Sequence, residues 1–149
     1  MRGIMESDDW FLVLTTTPVD LQATGSTADS QEDVLLVRFY LNVWQQSKQP
    51  PSGKFNLAGI DKTSADPALI GNVAKFQSKN GCVVDGRVSV PRNDTLKTGS
   101  GKFYTIRQMA SYWNIYKVAH QQPDSFKIWQ HPLCPPRLKG ALLIKGING

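Results

Sequence analysis

The groups able to do acid–base or nucleophilic chemistry are few, and their surroundings do not suit it. A glycosidase needs two facing carboxylates. The only glutamates are Glu6, in the N-terminal tail, and Glu32, in the first turn of an expected helix. Asp85 and Asp94 fall at turn and cap positions, where a structural role suffices. A zinc hydrolase needs about three ligands and a base. This chain has two histidines, His120 and His131, and no His-Glu-x-x-His pattern. His120, His131 and Cys134 could supply three ligands, but Pro132 and Pro135-Pro136 argue against the geometry. Cys82 and Cys134 lie in no nucleophile motif. Without a secretion signal, free thiols are expected rather than a disulfide. Gly99-Ser100-Gly101-Lys102 is too short for a phosphate loop and precedes an expected strand. The expectation is a non-catalytic protein with no cofactor and no metal.

Charge points to an anionic partner. Residues 1–66 carry five basic and nine acidic groups, a net of −4. Residues 67–96 carry four and two, a net of +2, and residues 97–149 carry eight and one, a net of +7. A C-terminal third this basic suits a cell-wall polymer, an acidic protein surface or nucleic acid. The longest early apolar run, Trp10 to Leu14, is far short of the about 20 residues of a spanning helix. The acids Glu6, Asp8 and Asp9 precede it, unlike the basic start of a signal peptide. Cytoplasmic synthesis and no membrane span are therefore expected.

The elements that must position any site follow from pattern. Residues 10–14 read as a strand. Ser30 is a candidate N-cap for a helix whose apolar positions Val34, Val37, Leu41 and Trp44 recur at helical spacing and fade near Gln46. Asp66 caps a second helix, with Pro67 at its first position and Gly81 just past its end. Val84-Asp85-Gly86-Arg87 is a turn, and Asp94 is placed to cap a short helical turn from Thr95. Residues 99–102 read as a linker. Phe103 to Arg107 alternates like a strand and Met109 to Ala119 has helical spacing. A short helix runs from Pro123-Asp124-Ser125 through Trp129, and Ala141 to Lys145 reads as a closing strand. Trp44, Trp113 and Trp129 are expected in the core, and Gln77 is expected to hydrogen-bond a loop rather than a ligand. A chain of 149 residues fits one domain or two small units, and two such units would lean on one another to bury enough surface.

Two resemblances emerge from these residues. Asp33-Val34 through Leu41-Asn42, Ile70-x-x-Val73-x-x-Phe76-Gln77, Val84-Asp85-Gly86-Arg87-Val88 and Asp94-Thr95-Leu96 stand in the order and spacing of peptidoglycan-binding-like domains. This resemblance covers roughly residues 24–98 and implies a three-helix module. Arg38 stands where the family usually has Gln, and residues 89–93 replace a Pro-Gly-Gly type loop. Tyr104-Thr105-Ile106-Arg107, Tyr112-Trp113-Asn114-Ile115, Ile128-Trp129-Gln130-His131-Pro132 and Leu138-Lys139-Gly140-Ala141-Leu142-Leu143-Ile144 are similar to LysM modules. That resemblance implies a strand-helix-helix-strand unit over residues 103–149. Met109-Ala110 replaces the Gly-Asp pair beside the sugar groove of glycan binders.

The expected fold is α+β and mostly helical: an N-terminal strand or extension (1–23), a peptidoglycan-binding-like domain (24–98), a linker (99–102) and a βααβ LysM-like module (103–149). A sugar groove needs backbone donors in two facing loops and an apolar floor. The LysM resemblance places those loops at Gln108, Met109, Ala110 and Ser111, and at Pro135, Arg137 and Lys139, with the last two able to meet carboxylates or phosphates. The leading expectation is a peptidoglycan or N-acetyl glycan binder. The alternative is an adaptor of a phage tail, contractile injection machine or secretion baseplate, using these modules to dock other subunits. Either acts at the cell envelope or inside a particle. Nucleic acid ranks last, since no recognisable motif supports it.

Overall fold

The computed structural model describes residues 2–6, 9–13, 28–46, 59–89, 95–123 and 125–144. Two strands, β1 (Arg2–Glu6) and β2 (Asp9–Val13), pair antiparallel with Arg2 opposite Val13 and Glu6 opposite Asp9. Four α-helices follow: α1 (Ala28–Gln46), α2 (Pro67–Lys79), α3 (Thr105–Ala119) and α4 (Pro136–Ile144). A 3-10 turn, Ile128–Gln130, precedes α4. Helix α1 packs against α2, α3 and α4, and β2 lies beside α3. Among the described residues the fold is mostly helical with little strand, and no helix is long and apolar enough to cross a membrane.

Helix α1 is the axis of the core. Every residue from Asp33 to Trp44 is buried. A helix apolar around most of its circumference has to be enclosed by its neighbours rather than laid on a surface. Phe39 meets Trp113 of α3 at 5.7 Å between ring centres, and Trp44 meets Phe76 of α2 at 5.0 Å. Phe76 in turn meets Tyr112 of α3 at 5.8 Å. One cluster of buried side chains therefore runs from Val34 to Leu142 and joins both halves of the chain. Each large apolar side chain in it contributes about 1.5–3 kcal/mol. Trp113 and Trp44 are core, and Trp129 packs partly buried against it.

The buried Arg38 on α1 must satisfy its donors. Its Nε donates to the Lys62 carbonyl at 3.0 Å, and one Nη donates to the Ser64 carbonyl at 2.7 Å. The same nitrogen lies 3.4 Å from Asp66 Oδ2. Asp66 caps α2 by accepting from the Leu69 N–H at 2.8 Å. That hydrogen bond, with the Arg38 charge helping against partial burial, holds the carboxyl below its ordinary range. Arg38 thus ties α1 to the loop and cap that start α2.

Helix α2 begins at Pro67 behind the Asp66 cap, as the sequence predicts, and Gly81 follows it at φ +70°. Helix α1 also ends at Gln46 as expected, but it starts at Ala28, so Ser30 lies within it. The C-terminal region differs from the LysM-like order. Phe103 to Arg107 is not a strand: α3 starts at Thr105, and Thr105, Ile106 and Arg107 are buried in succession, which strand alternation would not allow. Ala141 to Ile144 is the end of α4, not a closing strand. Pro136 occupies the first turn of α4, where its missing N–H costs nothing. The expected helix through Trp129 shrinks to the 3-10 turn. Thr95 starts no helix; Lys97 instead bridges to Phe103. Asp94, Asp124 and Lys145 lie outside the described residues.

His131 locks the junction of α1, α3 and the turn before α4. It is buried, and Phe39 of α1 and Tyr116 of α3 pack on it at 5.3 and 5.0 Å. Its Nδ1 accepts from the Leu133 N–H at 3.0 Å, so Nε2 carries the proton and donates to Tyr116 Oη at 3.0 Å. Burial, with the nearby His120 adding to it, lowers the imidazole from 6.5 to about 4. A depressed folded value means that stability is intact above the unfolded value near 6.5 and is lost as pH falls toward 4. The loss is roughly 3 kcal/mol across that window. Urea unfolding at pH 7.5 and 4.5 should show this drop, and His131→Gln should show a drop smaller by most of that amount.

Candidate ligand cleft

The loop that follows α2 is organised by one side chain. Gln77, on the last turn of α2, is buried. Its Oε1 accepts from the backbone N–H groups of Asp85 (3.1 Å) and Gly86 (2.8 Å). Its Nε2 donates to Asp85 Oδ1 (3.0 Å), the Arg87 carbonyl (2.9 Å) and Thr105 Oγ1 (3.0 Å). The two backbone donors fix which end of the amide is oxygen. With three acceptors and two N–H groups, one hydrogen is shared. Thr105 opens α3, so this amide joins α2, the Asp-Gly turn and α3.

The turn itself is closed from within. Asp85 Oδ1 accepts from the Arg87 N–H at 2.9 Å. Gly86 sits at φ +70°, where a Cβ would come within 2.7 Å of Ile70 Cγ2. Glycine meets both demands at once. Residues 98–102 form a tight exposed turn: the Thr98 N–H donates to the Lys102 carbonyl at 2.7 Å, and the Gly101 N–H to the Thr98 carbonyl at 3.0 Å. Phe103, just after it, donates its N–H to the Gly81 carbonyl at 3.1 Å, and Tyr104 donates to the Leu96 carbonyl at 3.0 Å. The short hairpin is thereby pinned against the end of α2.

Between the Asp-Gly turn and this hairpin lies a cleft of about 140 Å³. Val83, Asp85, Arg87 and Ser89 line one side, and Thr98, Phe103, Tyr104 and Thr105 the other. Asp85 and Arg87 are exposed, and Phe103 and Tyr104 are half-buried. Lys97 is exposed and holds its Nζ 4.9 Å from the Phe103 ring centre. The lining combines a carboxylate, a guanidinium, hydroxyls and aromatic edges, which suits a ligand with hydroxyls, amides and an apolar face. Its volume is below the roughly 300 Å³ of pockets that swallow a whole small molecule. It therefore fits one substituent of a larger ligand. A second hollow, about 500 Å³, is larger but is an open apolar strip on α3 formed by Asn114, Ile115, Val118 and Ala119. It offers almost no polar group to orient a ligand, so the smaller cleft is the better site.

The residues expected around a LysM-type groove are placed otherwise. Gln108, Met109, Ala110 and Ser111 lie within α3, not in a loop. Met109 and Ala110 are buried in the core, and the Ser111 hydroxyl donates to the Gln108 carbonyl at 2.6 Å. Pro135 is buried, while Arg137 and Lys139 are exposed on α4. Arg137 donates to Gln31 Oε1 on α1. Arg107, one of the eight basic residues of the C-terminal third, is buried.

The two thiols and His131 are not set for nucleophilic work. Cys82 and Cys134 are free, and burial raises both thiols, Cys134 to about 11, so neither is a thiolate at neutral pH. Both ring nitrogens of His131 are engaged, as described above. Among the described residues no three His, Cys, Asp or Glu side chains are grouped to hold a metal ion.

Gln77→Leu keeps the volume but leaves the N–H groups of Asp85 and Gly86 without their acceptor. The expected cost is about 2–4 kcal/mol in denaturant unfolding. Amide exchange at residues 85–87 should accelerate well beyond the change at α4; an unchanged stability would show that the amide is not the organiser.

No protein-family model, curated protein or solved structure matches the chain.

Proposed function

We propose that this chain is a non-catalytic binding protein for peptidoglycan or a related N-acetyl glycan. The cleft between the Asp-Gly turn and the 98–102 hairpin is its contact surface. The observation that carries this reading is the convergence on Gln77: the Phe76-Gln77 pair and the Asp85-Gly86-Arg87-Val88 turn, which carry the peptidoglycan-binding-like resemblance, are the elements that build the cleft. The lining supplies what an N-acetyl sugar asks for. Asp85 accepts from hydroxyls, Arg87 donates to carbonyl or carboxylate oxygens, and Phe103 and Tyr104 offer apolar edges. The protonated thiols and the engaged His131 suit a binder rather than a hydrolase.

A second reading is an adaptor subunit of a tail, contractile injection or secretion assembly. The observation that favours it is the apolar strip on α3, where Ile115 is 48% and Val118 79% exposed. Exposed apolar side chains grouped on one helix face suit contact with another protein.

Co-sedimentation with insoluble peptidoglycan across a salt series separates the two. The glycan reading expects pelleting that persists at about 0.15 M salt and that soluble wall fragments compete away. Absence of pelleting at any salt would remove it and leave the adaptor reading, in which Val118→Asp abolishes assembly with a partner subunit.

A further inference from the structure

Helix α4 is the last described element, and its entry is tied to one imidazole. It packs on α1 and on the 3-10 turn, and it buries Leu138, Ala141 and Leu142. The turn leading into it closes around His131. The Leu133 N–H donates to Nδ1 and the Cys134 N–H donates to the His131 carbonyl, each at 3.0 Å. Pro132 and Pro135 have no N–H to offer in their place. Nε2 already carries a proton for Tyr116 Oη, so a second proton must go to Nδ1. There it faces the Leu133 N–H, donor against donor.

No described carboxylate offsets that charge. On α1, Arg38 is turned to Lys62, Ser64 and Asp66, and neither Glu32 nor Asp33 acts on the ring. On α3, Arg107 and Lys117 do not act on it either, whereas His120, stacked on Tyr116 at 4.1 Å, opposes a second positive charge. Lys127 before the turn has no effect on the ring, and on α4 Arg137 reaches Gln31 while Lys139 acts on the Cys134 thiol.

We propose that residues 131–144 form an acid-released clasp: protonation of His131 opens the turn and lifts α4 off α1 while the α1–α3 core stays folded, uncovering Leu138, Ala141 and Leu142. Opening the turn frees Nδ1 to water, which removes the donor conflict without breaking the Phe39–Trp113 and Trp44–Phe76 contacts. Burial holds the closed ring at about 4, below the ordinary 6.5, so opening takes up a proton and grows as pH falls between those values. This inference is independent of the glycan reading.

The test is backbone amide exchange of the full chain at pH 7.5 and 4.5, corrected for the intrinsic rate at each pH, without urea and with low urea. Leu138 to Leu142 should lose protection by at least about tenfold at the lower pH. That opening should respond weakly to urea, because little surface is exposed, while Leu36 to Val43 stay better protected and open with the full urea slope. The loss should set in near pH 6.5, above the range in which carboxylates take up protons. His131→Asn keeps an acceptor for the Leu133 N–H but does not titrate, and should abolish the loss. His120→Gln, at an exposed position, should retain it. Unchanged protection of α4, or the same protection and urea slope in α4 as in α1, would overturn the clasp. A loss that persists in His131→Asn, disappears in His120→Gln or begins only below about pH 4.5 would overturn the assignment to His131.

Discussion

A buried carboxamide has two donors and two acceptor lone pairs, and each must find a partner once water is excluded. Gln77 meets that demand by drawing two separate pieces of chain to itself: the Asp85-Gly86-Arg87 turn and the first residue of α3. The constraint works in both directions. The loop is ordered because the amide needs it, and the amide is held in one rotamer because the loop surrounds it. A half-satisfied polar cluster would be worse than an apolar one, so the arrangement selects one loop geometry over its neighbours. The cleft inherits its shape from that selection, since Asp85, Arg87 and Thr105 both contact Gln77 and line the cavity.

Around this point the rest of the molecule supplies rigidity. Helix α1 is enclosed on its faces by α2, α3 and α4. Its polar side chains are not idle in that setting. Arg38 carries the cap of α2, and the Asn42 amide donates to the Arg38 carbonyl at 2.9 Å. On the far side, His131 fills the corner between α1 and α3 in one tautomer. Tyr112 adds a clasp between α3 and the end of α2, donating to Asn80 Oδ1 at 2.5 Å. The cleft thus sits on elements that the core fixes from behind, which is what a preformed binding surface requires.

The sequence shows α2 plainly, because Asp66, Pro67 and Gly81 mark both ends and each acts through local chemistry. The turn at Asp85-Gly86 is equally legible, since a positive φ at position 86 leaves little choice of residue. Gln77 reads as a loop-bonding residue, and it is one. The strands expected at 103–107 and 141–145 fail for a common reason. Four residues such as Tyr104-Thr105-Ile106-Arg107 or Ala141-Leu142-Leu143-Ile144 carry too few positions to separate a period of 2 from 3.6. Gly140, part of the segment similar to a LysM closing strand, sits inside α4 with open space around it. Arg38, the departure from the family pattern, gives no sign of its role, because its partners are backbone carbonyls 24 and 26 residues away. The cleft residues themselves come from two stretches that the Gln77 contacts and the Phe103–Gly81 pairing help bring together.

The functional reading therefore rests on a small, stiff, polar and aromatic cleft rather than on the α3 and α4 residues that a LysM-type groove would use. Its most direct test is backbone amide chemical-shift mapping of the full chain titrated with soluble peptidoglycan fragments. The account predicts that the largest shifts cluster at Asp85 to Ser89, Thr98 and Phe103 to Thr105. Unmoved cleft amides, with shifts confined to Pro136 to Lys139 or to Ile115 and Val118, would contradict it.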